Sequence, residues 1–345
     1  MIDSYAIGET AGDGPAAYVR TPGPQLPRPR GPLSRAVLDA FVDGSNGYAL
    51  SFPADVLRDD DFQLALYLCY ELHYRGFEGV DERREWSPAV LGIRASLEQA
   101  FEEALRRSVV IHPSTPPDLV PDALREIAER PQALLARSLA REATWNQFRE
   151  FVMHRSAYHL KEADPHSWII PRLSGSPKAA LIQIQTDEYG GGSYRSMHST
   201  LFADVMESFD LDVTYGAYLD VLPGVTLATV NLMSLFGLHR RFRGAIVGHL
   251  AAFELGSPGP NRLYARGVRR LGMDQEKATR FFDEHVVADS VHDMVATYDL
   301  AGALACQEPQ LADDILFGAW ALDVVDSNFG THTLGAWAEG RSSLL

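Results

Sequence analysis

The sequence FFDEHVVADSVHDMVAT, residues 281–297, contains His285, Asp289 and His292 at the spacing His-x3-Asp-x2-His. On a helix that advances ~100° per residue, these offsets place the three side chains within an arc of about 60°. Small apolar residues surround this face, so the polar groups are expected to point into a core, where unpaired polar groups are costly. A metal ion bound by all three side chains would remove that cost. A surface stripe of solvated polar residues is the other interpretation.

Composition restricts the classes of partner and the cellular location. The chain has 345 residues, of which 46% are hydrophobic, which is enough for one or two domains. Its net charge of −15 argues against nucleic acid and anionic membranes, which bind positively charged surfaces. Cys69 and Cys306 are far apart in sequence and form neither a disulfide framework nor a Cys-rich metal site. A reducing, cytoplasmic location is therefore expected.

The N-terminus and the one long uncharged run of the chain agree with this expectation. The N-terminus lacks the features of a signal peptide. The long uncharged run over residues 221–238 includes Pro, Gly and several polar residues, which are unfavourable in a membrane span. This run is predicted to form a buried core helix.

The pattern of Pro, Gly and apolar residues divides the chain into three regions. Residues 1–33 are rich in Pro and Gly and poor in large apolar groups, which predicts a flexible tail. Residues 34–110 have helical apolar spacing and form an N-terminal helical region. A Pro-rich linker over residues 111–121 precedes a helical bundle expected over residues 119–345.

Helical spacing continues through most of the chain. Helix starts are expected at Ser34, at Ser87 followed by Pro88, and at Ser176 followed by Pro177, because Ser is a favoured N-cap and Pro fits the first turn. Strand-like alternation does not extend over any useful length. The sequence therefore predicts an all-α fold without internal repeats.

A metal at the central stretch needs ligands from neighbouring helices, and Glu254 is one candidate. It ends an apolar helical pattern just before a predicted helix stop. The helix dipole disfavours an acid there by about 0.3–1 kcal/mol when it is exposed. Metal binding would remove this conflict. A salt bridge to Arg240, Arg241 or Arg243 is the alternative.

Glu188 and His198 form a second pair of candidates. Glu188 follows an apolar helix face, and an offset of ten residues would leave His198 about 80° away on a regular helix. The glycine run over residues 190–192 permits a bulge or wide turn that brings both to one site. In the alternative, Glu188 caps its helix and His198 is an ordinary core or surface histidine.

The candidates together are three carboxylates and three imidazoles: Glu188, His198, Glu254, His285, Asp289 and His292. Such ligands suit iron, manganese or zinc, and three carboxylates nearly neutralise two divalent ions. Ferritin-like diiron bundles carry two Glu-x-x-His motifs, and this sequence has none. That version of a diiron site is not expected here.

In their order along the chain, the six candidates resemble the ligands of the heme-oxygenase-like diiron oxidases and oxygenases, also called iron-containing redox enzymes. The resemblance covers roughly residues 144–300 and includes LKEADPHSWIIPRLSG, DEYGGG and NLMSLFGLHRRFRGAIVGHLAAFE. Arg195 stands where some members carry a supplementary acidic ligand.

This resemblance implies a heme-oxygenase-like bundle that binds two iron ions, cycling between Fe2+ and Fe3+, and no heme. O2 is implied as cosubstrate, with oxidation of a small amine, amino acid or aliphatic acid by N-oxygenation, desaturation or cleavage. No catalytic residue beyond the metal ligands is implied. One iron would be bound by His198, Glu254 and His285, and the other by Glu188, Asp289 and His292.

Several other expectations accompany this assignment. The expected partner is a small-molecule substrate, with an external electron donor and a homodimer left open. Four further histidines are interpreted as ordinary helix-face or loop residues, and Glu162 as a weak outside candidate for a ligand. The basic run over residues 239–243 binds a substrate anion or forms a solvated face. The histidines are His154, His159, His166 and His249.

Two other functional classes remain open from sequence. The dipeptide His292-Asp293 is similar to that of HD-type metal phosphohydrolases, which are also all-α. Their first histidine usually stands much further upstream than His285 does. A metal-free bundle of the same fold, acting as a binding module or a cofactorless enzyme, is the other class.

Overall fold

The computed structural model describes residues 23–44, 50–109, 115–130 and 134–345, without the side chains of residues 288–291. In this part of the chain every regular element is a helix and no strand occurs. The all-α prediction is confirmed.

The α-helices are numbered in chain order. They are α1 (Pro32–Asp43), α2 (Asp60–Glu71), α3 (Pro88–Ser108), α4 (Val120–Ala128), α5 (Leu134–Arg141), α6 (Trp145–His159), α7 (Asp164–Ser167), α8 (Gly175–Glu188), α9 (His198–Ser208), α10 (Gly224–Leu238), α11 (Arg243–Gly256), α12 (Pro258–Arg270), α13 (Glu276–Met294), α14 (Ala303–Gln307) and α15 (Ala312–Ala338). A π-helix, Val295–Gly302, continues α13, and short 3-10 turns connect several of the others.

Helix starts agree with the sequence at one position and differ at two. Ser87 is the N-cap of α3, as predicted. Ser34 instead lies inside α1, which begins at Pro32 because proline suits the first helical turn. Ser174 is the N-cap of α8, two residues before the predicted Ser176.

The N-terminal segment lies along the body of the protein from residue 23 onward. The amide of Arg28 donates to Asp220 over 2.7 Å, and the Arg30 guanidinium donates to the carbonyl of Leu219 over 2.7 Å. These partners are distant in sequence, so local composition does not reveal them. The flexible tail was predicted to extend to residue 33, and residues 1–22 of it lie outside the described residues.

Two hydrophobic clusters form the core. The first joins α1, α2 and α3 to α10, α11 and α15, so the N-terminal helices share one apolar core with the bundle. The second lies among α5, α6, α9, α12 and α13. The run over residues 221–238 forms the largely buried helix α10, as predicted. Among the described residues, no helix is long and apolar enough to cross a membrane.

The crossing of α11 and α15 brings two helix backbones into contact. A Cβ atom at Gly248 would overlap the carbonyl oxygen of Ile315, and one at Gly318 would overlap that of Ala245. Only glycine permits this approach. It brings α11, the helix that carries Glu254, close to α15.

Candidate metal centre

Acidic and imidazole side chains from five parts of the bundle meet in one buried region. Each of them is at most 8% exposed. The contributing parts are the connection between α6 and α7 with Glu162, the end of α8 with Glu188, the start of α9 with His198, α11 with Glu254, and α13 with His285 and His292.

Four of these residues form the first donor cluster, Glu162, Glu188, His198 and His285. One possible ligand atom from each lies within 4.8 Å of all the others. His198 Nδ1 is 2.8 Å from Glu188 Oε2, and His285 Nε2 is 3.6 Å from Glu162 Oε1. A single cation can contact donors at this spacing.

The second donor cluster consists of Glu188, Glu254 and His292, whose possible ligand atoms also lie within 4.8 Å of one another. His292 Nδ1 is 3.5 Å from Glu254 Oε2. Glu188 belongs to both clusters. Its two carboxylate oxygens allow it to contact two neighbouring cations at once.

Partners outside the clusters orient both α13 imidazoles. His285 Nδ1 donates to the carbonyl of Phe281 over 2.7 Å, so its Nε2 faces Glu162. His292 Nε2 lies 3.0 Å from Asp187 Oδ2, so its Nδ1 faces Glu254. Metal-binding histidines usually donate their other ring N–H to a carbonyl or carboxylate in this way.

Two buried polar atoms of the first cluster have no hydrogen-bond partner among the described residues. Among the described residues, Glu162 Oε2 has no hydrogen-bond partner, while Oε1 of the same residue lies 2.7 Å from His159 Nδ1. His198 Nδ1 is close to Glu188 but without hydrogen-bond geometry. Burying such groups unpaired costs free energy. A cation between them would satisfy both, so the residues fit a metal ion.

The electrostatics favour ionised carboxylates and positive charge beside them. Burial lowers the pKa of His292, but hydrogen bonds to Glu254 and Asp187 outweigh it and raise the pKa to about 9. Burial also lowers the pKa of His198, but the Glu188 carboxylate reverses this, and the net shift is upward. Burial would raise the pKa of Glu162, yet His159 and His285 hold that pKa well below its usual range. A metal would displace these imidazole protons on binding.

A glycine turn brings Glu188 and His198 together. Gly190 has a φ of +62°, and a Cβ atom there would overlap the backbone of Ser196. The chain therefore folds back tightly between the end of α8 and the start of α9. The glycine run was expected to permit a bulge or a wide turn that brings the two residues together, and the turn that does so is a tight one.

The structure brings together five of the six residues predicted from sequence. The side chain of the sixth, Asp289, lies outside the described residues, although its backbone belongs to α13. The grouping differs from the one that the resemblance implied, because Glu254 lies with His292 and Glu188 and not in the cluster of His198 and His285.

Glu162 is the acid that sequence reasoning undervalued. It lies in the break between α6 and α7, where no continuous helical pattern connects it to the other candidates. The available signal was the pair His159-x2-Glu162, the reverse of the motif typical of ferritin-like sites. Arg195, at the place of a supplementary acid, is exposed.

Other polar residues from the sequence lie elsewhere or beside the clusters. His239 and Arg241 contact Glu98 and Glu102 at 2.9 and 2.6 Å, and Arg243 pairs with Glu308. His239, Arg241 and Arg243 therefore pair with glutamates of the same chain. Glu254 lies beside His292, with its Oε2 3.5 Å from His292 Nδ1.

A small cavity adjoins both clusters. Besides Glu162, Glu188, Glu254 and His285, it is lined by Tyr158, Ala163, His166, Gln185, Leu250 and Phe253. His166 Nε2 lies 3.2 Å from His249 Nδ1, and burial lowers the pKa of His166 to about 4. The cavity thus combines the donor clusters with an apolar wall and a neutral imidazole.

Comparison with known proteins identifies a related family. A family model described as iron-containing redox enzyme matches residues 149–324, just over half of the chain. Every member of both donor clusters lies within the matched residues. No curated protein matches this chain.

Proposed function

The chain belongs to the iron-containing redox enzymes, and we propose that it is an O2-dependent nonheme diiron oxidase or oxygenase. The observation that carries the proposal is the pair of buried donor clusters that share Glu188. Two clusters with one common carboxylate suit two neighbouring ions better than one. The coarser conclusion, an iron-containing oxidoreductase, follows from the family alone.

The donor set supports iron as the metal. All donors are carboxylate oxygens or imidazole nitrogens, which suit iron and not soft metals. Glu162, Glu188 and Glu254 carry charge that nearly neutralises two divalent ions. Buried carboxylates around the site favour iron bound directly by the protein, without heme.

Each cluster would hold one iron. The first would be held by Glu162, Glu188, His198 and His285, and the second by Glu188, Glu254 and His292. Asp289, whose side chain lies outside the described residues, is proposed as a further ligand of the second site because the family resemblance implies it. Bound ferrous iron would supply the electrons that reduce O2.

The remaining residues would control access and protons. Leu250 and Phe253 line the cavity and exclude water from its apolar wall. His166 would stay neutral, because burial lowers its pKa to about 4, and would offer a hydrogen-bonding group at the cavity surface. We propose a small amine, amino acid or aliphatic acid as the substrate class, as the family resemblance implies, with an external electron donor as partner.

The rival classes find less support. Asp293 belongs to neither donor cluster among the described residues, so the His292-Asp293 dipeptide gives no support to an HD-type phosphohydrolase. A metal-free bundle would leave Glu162 Oε2 buried without a hydrogen-bond partner. The metal-binding proposal removes that cost.

Anaerobic loading with Fe(II) followed by metal analysis tests the proposal. We expect close to two irons per chain and an optical transient on mixing with O2. The double variant His285→Ala, Asp289→Ala should lose iron, whereas Glu284→Ala should not, because Glu284 is a neighbour on α13 that pairs with Arg280. Absence of iron from the wild type, or undiminished iron in the double variant, would overturn the proposal.

A further inference from the structure

Asp187 connects the buried second cluster to solvent. Its Oδ2 lies 3.0 Å from His292 Nε2, although the Asp187 side chain is 57% exposed and the His292 side chain only 2%. Within the described part of the chain, His292 is the only basic side chain within 4.0 Å of this carboxylate. The Asp187 carboxylate therefore contacts one buried imidazole, that of His292.

The first cluster is supported differently. His285 is oriented by the carbonyl of Phe281, and Glu162 by the buried ring of His159. Both supports are internal to the fold. The support of His292 differs from these two, because it comes from Asp187, whose side chain is largely exposed. The two clusters thus depend on supports of different kinds.

We propose that Asp187 is a positioning residue that makes His292 bind iron through Nδ1, and that occupancy of the second iron depends on it. The proposal rests on the diiron function proposed above. The carboxylate accepts the Nε2 proton, holds the ring with Nδ1 toward Glu254, and makes Nδ1 a stronger donor.

A purely structural role for Asp187 would have little value to the fold. An ion pair with one largely exposed partner contributes little stability. The side chain also buries little surface of its own. Glu254 contributes more than Asp187 to the raised pKa of His292, so loss of Asp187 should change the melting temperature much less than it changes metal binding.

Anaerobic Fe(II) titration of the full-length protein tests this inference by resolving two binding constants. Asp187→Ala should weaken one constant by about 10–100-fold and leave the other unchanged. Asp187→Asn should lie between, since its amide oxygen still accepts the Nε2 proton without the charge. Asp204→Ala removes a similarly exposed acid that lies 3.9 Å from Lys277 and should change neither constant.

Nitrogen NMR of the Zn(II)-loaded protein gives a second readout. In the wild type and in Asp187→Asn, the His292 signals should show metal on Nδ1 and a proton on Nε2. In Asp187→Ala, this pattern should be lost or mixed.

The outcomes separate the inference from the proposed function. Two irons in the wild type with unchanged constants in Asp187→Ala would overturn the inference and leave the diiron proposal intact. An equal loss in both constants with a lower melting temperature would indicate a structural role and also overturn it. A wild type that binds no metal would overturn both proposals.

Discussion

Glu188 Oε2 lies 2.8 Å from His198 Nδ1, although the two residues end and begin different helices on either side of three glycines. The contact depends on the tight turn at Gly190. It places the carboxylate of Glu188, which both clusters share, beside the imidazole of His198 in the first cluster. Iron binding should therefore be sensitive to a turn that contributes no ligand.

Gly190→Ala should disrupt this contact. A Cβ atom would strain the positive φ and overlap the backbone of Ser196, so we expect a loss of about 1–3 kcal/mol in stability and reduced iron in the first cluster. Gly191→Ala is the matched control, because Gly191 has the same φ of +62° but nothing within 4 Å of the added Cβ. Chemical denaturation and metal analysis compare the two. Equal iron content in both variants would contradict the role assigned to the turn.

Glu162→Gln should reduce iron binding without unfolding the protein. The substitution keeps the shape of the side chain and leaves an oxygen that can contact His159. It removes the negative charge of the carboxylate, whose Oε2 has no hydrogen-bond partner among the described residues. The metal-free melting temperature should fall, because the carboxylate charge that His159 and His285 stabilise is lost. The increase in melting temperature caused by Fe(II) should shrink, since this increase depends on the affinity of the protein for the ion. Differential scanning calorimetry with and without Fe(II) measures this. An unchanged increase would exclude Glu162 as a ligand.

The stability of the metal-free protein should depend on His292 at alkaline pH. Its pKa is raised to about 9 in the fold, above the ordinary value near 6.5. Because the pKa of His292 is higher in the folded than in the unfolded protein, its protonation stabilises the fold. This contribution is complete below pH 6.5 and disappears as the pH rises through about 9. Urea denaturation from pH 6 to 9.5 should show the decline, and His292→Gln should flatten it. An identical slope in the variant would contradict the assignment.

Acid should destabilise the protein through His154. This residue contacts Thr226 and Ser343 at 2.7 and 3.0 Å, and burial lowers its pKa to about 3. A lowered histidine pKa stabilises above pH 6.5, and the contribution falls as pH decreases toward 3. Denaturation between pH 7 and 4 should show a shallower loss in His154→Gln than in the wild type.

A buried ion pair connects the N-terminal helix α2 to the segment that carries Glu162 of the first cluster, and breaking it should lower both stability and iron content. Lys161 Nζ lies 2.9 Å from Glu71 Oε2, with the side chains 1% and 0% exposed. Glu71→Gln leaves the Lys161 charge unpaired and should cost about 3–5 kcal/mol. Because Lys161 precedes Glu162, iron content should fall as well.

Two comparisons make this test specific. Replacing both partners by Met should recover much of the lost stability, since burying the ion pair is itself costly. Glu103→Gln, which breaks the exposed pair with Arg107, should cost less than about 0.5 kcal/mol. Urea denaturation measures all three variants. A full loss in the double variant would contradict the ion-pair explanation.

Local patterns were sufficient where one helix contains the whole feature. His285 and His292 share a face of α13 because helix geometry alone sets their spacing. The all-α class and the N-cap at Ser87 follow from similarly local preferences. The glycine run between Glu188 and His198 indicated a turn, because glycine adopts positive φ without strain.

The partners across helices were decided by tertiary packing. The pair His159-x2-Glu162 marks Glu162 as a possible ligand but does not indicate that it lies with His285. The grouping of Glu254 with His292 likewise joins two helices, α11 and α13. How closely α11 approaches α15 depends on the backbone contact between Gly248 and Ile315, which are far apart in sequence. Sequence periodicity reports which face of one helix is buried, whereas the distance between two helices is set by the side chains that separate them.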